Sequence, residues 1–291
     1  MQIQIRINMK MNITNKAVLF LAFGMLSLGA AAQKITVPAP SPLQTVTQKF
    51  GLGEVTVEYS RPGVKGRTIF GDVVPYGKIW RTGANATTKI TFTDEVKLEG
   101  NVVKPGTYGL YTIPNKDSWE IMLYKDLTLN GNVGDYKTEN EVLRFKVKAI
   151  KIPMKMESLM INIGDISATE SKLMLLWENT VIAIKMTTDI DARVMQSIDE
   201  SMKSEKPEYF RAASYYFDNG KDLKQALVWA TKATEENPTA FYMFNLKARI
   251  EYKLGDKAAG KASAEKSIAL AKDAKNDDYV ALGEKLLAEN K

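Results

Sequence analysis

A change of texture near Thr187 constrains this chain more than any other feature of its sequence. Before it, Val55, Val57 and Tyr59 alternate with Thr56 and Glu58. Ile90 and Phe92 alternate with Thr91 and Thr93, and Trp119, Ile121 and Leu123 with Glu120, Met122 and Tyr124. A period of two marks half-buried strands. Glu99-Gly100-Asn101 reads as a hairpin turn between Leu98 and Val102, and Lys104-Pro105-Gly106 as another before Tyr108. Further apolar runs cover 142–152, 159–163, 173–177 and 181–186, with Glu178-Asn179 a tight turn between the last two. About nine or ten strands result, with no helical period among them. The expected fold over residues 43–187 is an all-β antiparallel sandwich, jelly-roll-like, after an extended proline-bearing lead-in over 33–42.

After Thr187 the chain is rich in Ala, Lys, Glu and Leu, which predicts an all-α domain over 188–291. Asp189 and Asp191 are placed to cap a first helix near Ala192. Phe210 and Phe244, Ala226 and Gly260, and Ala230 and Ala264 recur at a fixed spacing, with Asn219-Gly220 and Leu254-Gly255 at the turns. A repeat of about 34 residues with small residues where helices touch resembles a tetratricopeptide repeat. Residues 277–290 are expected to cap the array. An extra residue after Gly220, and Lys247 and Glu251 at positions normally apolar, depart from that pattern. Its aromatics, among them Tyr216, Phe217, Trp229 and Phe241, are expected to fill the space between helices.

Composition removes whole classes of chemistry. The chain has no cysteine and no histidine. Disulfides, thiol nucleophiles, imidazole acid–base catalysis and His-ligated zinc are all excluded, and no cofactor or metal is expected. Arg6, Lys10 and Lys16 precede an apolar run from Ala17 to Leu28 and the small residues Ala30-Ala31-Ala32. That order predicts a cleavable signal peptide over residues 1–32 and a periplasmic or secreted protein. Cleavage removes three of the 40 Lys+Arg and none of the 34 Asp+Glu, leaving a net charge of +3 and no signature of nucleic-acid binding.

The remaining basic character is concentrated locally. Residues 60–92 hold Arg61, Lys65, Arg67, Lys78, Arg81 and Lys89 against the single acid Asp72, with Phe70, Tyr76, Trp80 and Asn85 between them. Arginine forks suit carboxylate, sulfate or phosphate, aromatic faces suit a sugar, and an asparagine amide both donates and accepts. Arg61, Lys65, Arg67, Tyr76, Trp80, Arg81 and Asn85 are therefore the candidate ligand-binding set. The opposing possibility is that the segment only stabilises the fold, with Trp80 in the core. A second candidate combines Trp119, Tyr124, Asn130, Asn132, Asp135 and Tyr136, and the acids Asp165, Glu170 and Glu178 offer carboxylate pairs.

The runs SRPGVKGRTIFGDVVPYGKIWRTGAN, KPGTYGLYTIP, WEIMLYKD and LLWENTVIAIKM resemble the secreted bacterial family called domain of unknown function 2911. The similarity spans about 38–187. It implies an exported β-rich domain of Gram-negative bacteria, often followed by tetratricopeptide-like helices, with no known reaction and no catalytic residue to carry over. The family tends to place Trp-Gly before the loop tyrosine, where this chain has Asn132-Val133-Gly134 before Tyr136. The expected function is a non-enzymatic module that binds an anionic or glycan-like ligand on the sandwich and a protein through the helices. The alternatives are a scaffold, and a carbohydrate-active hydrolase or lyase using carboxylates or tyrosine.

Overall fold

The computed structural model describes residues 36–291 apart from Asn130. The expected signal peptide lies outside these residues. Nine strands follow the lead-in: β1 (Leu43–Phe50), β2 (Gly53–Ser60), β3 (Ala84–Phe92), β4 (Val96–Leu98), β5 (Asn101–Val103), β6 (Gly106–Ile113), β7 (Ser118–Tyr124), β8 (Glu141–Gly164) and β9 (Glu170–Thr187). All pair antiparallel, in the order β1-β2-β3-β6-β7-β8-β9-β4-β5. The hairpin expected at Glu99-Gly100 joins β4 to β5, and both residues have positive φ, as a two-residue turn of this hand requires.

The long strand β8 belongs to both layers of the sandwich. Residues up to Lys148 pair with β7, and from Ala149 onward the strand pairs with β9. The rows that alternation assigned inward are buried between the layers, including Val55, Val57 and Tyr59 on β2, and Trp119, Ile121 and Leu123 on β7. Leu159, Ile161 and Ile163 face them from β8, with Leu173, Leu175 and Trp177 from β9.

Glu178-Asn179 is not a turn, and this corrects the reading above. β9 continues through both residues, and the chain reverses at 165–169 instead. In the register, Lys151 pairs with Thr180 and Met156 with Glu178, so four residues of β8 stand opposite Asn179 alone. The break in alternation on β9 is the mate of a bulge on β8. Asn179 holds that bulge by donating its amide to the carbonyls of Ile152 (3.3 Å) and Met154 (3.2 Å). A second bulge frees 157–159 from β9 to meet the segment after β2. There the Val64 amide donates to Glu157 O (2.7 Å) and the Leu159 amide to Pro62 O (3.0 Å). The buried Tyr59 hydroxyl reinforces this seam by accepting from the Ile161 amide at 2.8 Å.

Six helices follow: α1 (Asp191–Met202), α2 (Tyr209–Asp218), α3 (Leu223–Glu236), α4 (Phe241–Leu254), α5 (Lys257–Asp273) and α6 (Asp277–Glu289). α2 with α3 and α4 with α5 form hairpins, turned by Gly220 and Gly255 at positive φ. Asp222, Asp256 and Asn276 cap α3, α5 and α6 by accepting backbone amides. Ala226, Ala230, Ala233, Ala248, Ala264 and Ser267 are buried where helices touch. Asp189 accepts the Asp191 amide, but the Asp191 carboxylate does not cap α1; it takes the Tyr215 hydroxyl at 2.9 Å and Lys221 at 2.7 Å. α1 meets the sandwich through Arg193 and Asp94 at 2.8 Å. Among the described residues no helix is long and apolar enough to cross a membrane.

Candidate functional site

The structure divides the segment 60–92 between two tasks. Arg61 donates Nε to Leu159 O at 3.0 Å, across the seam to β8. Arg67 donates to Val64 O (3.1 Å) and Gly63 O (2.8 Å), folding its own loop. The Lys65 amide donates to Glu157 Oε1 at 2.8 Å. These groups secure the seam by satisfying backbone and side-chain acceptors, which leaves the two guanidinium groups partly spent. Tyr76 packs on the core, its ring beside Gly71, where φ is +99° and a Cβ would come within 2.8 Å of it. Asn85, also at positive φ, donates to Ser41 O and Ser60 Oγ at 3.3 Å each.

Trp80 is 8% exposed and lies in the core. Its indole donates to Gly83 O at 3.1 Å and stacks on Trp177 at 5.7 Å. Phe70 and Trp119 meet it edge-on at 6.3 and 6.1 Å. Trp80 therefore offers no face to a sugar, and Trp119 is likewise withdrawn from the second candidate set. Alternation explains both: they share the inner side of the sandwich with Ile121 and Leu123.

Arg81 follows a different path. The outer face of the first sheet carries a small aromatic core of Tyr111, Met122 and Tyr124, packed against Leu129 and Tyr136. The loop between β7 and β8 covers it. Tyr124 and Tyr136 stack at 4.5 Å, and Tyr111 meets them edge-on at 5.3 and 5.0 Å. The Tyr111 hydroxyl shares a hydrogen with Thr87 at 2.8 Å. The Tyr124 hydroxyl accepts from the Lys137 amide (3.1 Å) and the Asn140 side chain (3.2 Å), fastening the loop down. Arg81 runs beneath Gly131 at the base of this loop, half-buried, and its positive charge acts on the Tyr111 phenol. Its Nε is buried with no hydrogen-bond partner, and it makes no ion pair among the described residues.

On the loop lies an open pocket of about 700 Å³ lined by Asp126, Thr128, Asn132, Asp135, Tyr136, Lys137 and Asn140, with Leu129 and Gly134. Asp126 accepts from the Thr128 amide and hydroxyl, which hold its carboxyl below the usual carboxylate range. Asn132 donates to Asp135 at 2.6 Å. The pocket thus presents donors and acceptors around one aromatic edge, a pattern suited to a hydroxylated ligand. At its far side Tyr136 donates to Glu141 Oε1 at 3.0 Å, and Arg144 grips Glu141 with Nε and Nη2 at 2.8 and 2.6 Å while also holding Glu120. Burial and the Glu141 charge push the Tyr136 phenol well above its usual range.

Hydrogen bonding from Arg144 lowers the Glu141 pKa. The carboxylate is favoured in the folded state, so its stabilising effect is complete above the unfolded value of about 4.3 and vanishes as pH falls through the lower folded value. The melting temperature should therefore drop below about pH 4.3. Arg144→Gln should flatten that acid limb, and an unchanged limb would remove the ion pair from the account.

Asn132, Asp135 and Tyr136 of the second candidate set line the pocket, Tyr124 is buried beneath the loop and does not, and Asn130 lies outside the described residues. Tyr111, Lys137, Asn140, Glu141 and Arg144 were missed. Tyr111 was legible in part, because Gly109 and Tyr111 share a strand face with Tyr124. Asp165 and Glu170 are 64% and 58% exposed and held by Lys172 and Lys185; neither they nor Glu178 line the pocket.

A family model described as "Protein of unknown function (DUF2911)" matches residues 41–186, half of the chain. No curated protein and no solved structure matches it.

Proposed function

The chain belongs to the DUF2911 family, and from that premise we propose that it is an exported, non-enzymatic binding module. The signal-like residues 1–32 support export to the periplasm or beyond. The sandwich takes a small anionic, hydroxylated ligand of glycan type at the pocket on the β7–β8 loop. The observation that carries this reading is Arg81, whose buried Nε has no hydrogen-bond partner and which makes no ion pair among the described residues; it does not line the pocket itself but packs against Gly131, in the loop whose neighbouring residues do. A buried guanidinium nitrogen without a hydrogen-bond partner costs free energy that an accepting oxygen of a ligand recovers. The helical hairpins, with small residues at their contacts and a 34-residue spacing, are read as tetratricopeptide-like and as a contact for a protein partner.

The remainder of the signature segment favours a second reading for those residues, architecture. Arg61 and Arg67 are spent on carbonyls, and Trp80 on the core. A tyrosine-dependent reaction is poorly supported, because burial raises both Tyr111 and Tyr136 and keeps the phenols protonated.

The test is calorimetric titration of residues 33–291 with uronic-acid oligosaccharides and with phosphorylated sugars. A saturable signal is expected with one of them, and Arg81→Gln should weaken it about 10- to 100-fold while the variant stays folded. Binding that survives Arg81→Gln unchanged, or no binding to either class, would sink the reading.

A further inference from the structure

We propose that the corner of β8 is a docking surface for an anionic lipid bilayer. This goes beyond the pocket on the β7–β8 loop and does not depend on it. Residues 146–156 read KVKAIKIPMKM, with four lysines and no acid. On the first half of β8, Val147 and Ala149 pack against the core, so Lys146, Lys148 and Ile150 share the outer face. Beyond Lys151 the four residues 152–155 leave the ladder opposite Asn179 alone. Asn179 fixes this extruded bulge through the carbonyls of Ile152 and Met154. The bulge carries Met154 at 60% exposure, with Ile150 at 46% beside it on the strand.

Two properties coincide here. Lys146, Lys148 and Lys155 are exposed, and none has a carboxylate closer than 3.9 Å, the closest approach being Lys146 to Glu120; Lys151 alternates to the side of Val147 and Ala149, where its ammonium donates to the Thr180 hydroxyl. Along the chain between Lys148 and Lys155 stand two large aliphatic side chains, Ile150 and Met154, each left about half exposed. A soluble polyanion would use the cations and leave Ile150 and Met154 in water. An anionic bilayer uses both, since the ammonium groups stay among headgroups while the aliphatic tips enter the acyl boundary. The bulge supplies the relief that a flat strand lacks: backbone pulled out of the ladder lets Met154 reach past its neighbours.

The test is sedimentation of the folded protein with vesicles of phosphatidylcholine alone, and with vesicles containing 30% phosphatidylglycerol, at low and high salt. Binding is expected only to the anionic vesicles and should weaken with salt. Lys146→Gln, Lys148→Gln and Lys155→Gln together should reduce it about 100-fold, at about fivefold per lysine. Met154→Ser, at a side chain that is 60% exposed, should reduce it severalfold. Equal binding to neutral vesicles, or no binding to anionic ones, would overturn the proposal. So would a dextran sulfate complex of equal strength that is indifferent to Met154→Ser, since that behaviour marks a polyanion site. Each variant's thermal midpoint should match the parent's; a shared loss of stability would also count against a surface role for these residues.

Discussion

Trp80→Ala is expected to destabilise the sandwich by about 3–5 kcal/mol, the usual cost of deleting a buried large aromatic from a core that cannot collapse. Trp80 touches Phe70, Trp119 and Trp177, so truncation opens a cavity walled by three other rings. It also leaves the Gly83 carbonyl without the indole donor it accepts from. Stability on this scale is a large fraction of what a domain possesses. Urea denaturation of the parent and variant reads the effect directly, and near-ultraviolet circular dichroism should lose the signal of the stacked Trp80–Trp177 pair. A variant that melts with the parent but loses ligand would return Trp80 to the binding surface and contradict its burial.

The second large effect concerns Gly131. Its φ is +84°, a region where an L side chain adds about 1–2 kcal/mol of strain. Space is worse than conformation: a Cβ there would lie 2.5 Å from the Asn85 carbonyl and 2.9 Å from Arg81 Cδ. The carbonyl belongs to the backbone of β3 and cannot rotate away. Gly131→Ala should therefore lift the loop, at a combined cost of about 2–4 kcal/mol. Because the Lys137 amide is held by the buried Tyr124 hydroxyl, lifting should expose that amide. Hydrogen exchange at Lys137 should accelerate about 30-fold or more, since each 1.4 kcal/mol of local opening is a factor of ten. Ligand binding at the pocket should fall with it. Unchanged protection at Lys137 would show that Gly131 does not pin the loop over Arg81.

Arg81 and Trp80 are adjacent in sequence and end on opposite faces of one sheet region, which shows why a motif can look like one site and serve two purposes. The residue types of the segment 60–92 were informative about their chemistry and silent about their destinations. Trp80 found aromatic partners 39 and 97 positions away, and Arg61 an acceptor 98 positions away. Arg81 found the loop at Gly131. Nothing in the spacing of the segment itself separates these outcomes.

Local periodicity determined much of the remainder. Alternation assigned the inner rows of β2, β3 and β7, because side chains on a strand can only choose between two faces and water decides which. Glu99-Gly100 announced its hairpin through the φ values that such a turn demands. The small residues Ala226, Ala230, Ala248 and Ala264 marked where helices approach, since larger side chains would hold them apart. Only the tertiary structure decided the bulge at 152–155, which disguised a continuous β9 as two strands and a turn. It alone sealed the outer face of the first sheet with the β7–β8 loop, which sets Tyr136 over Tyr111 and Tyr124 and Gly131 over Arg81. The physical reason is range. Strand and turn patterns come from sterics between near neighbours, whereas a site forms where loop closure brings distant segments into contact, and that closure leaves no period in the sequence.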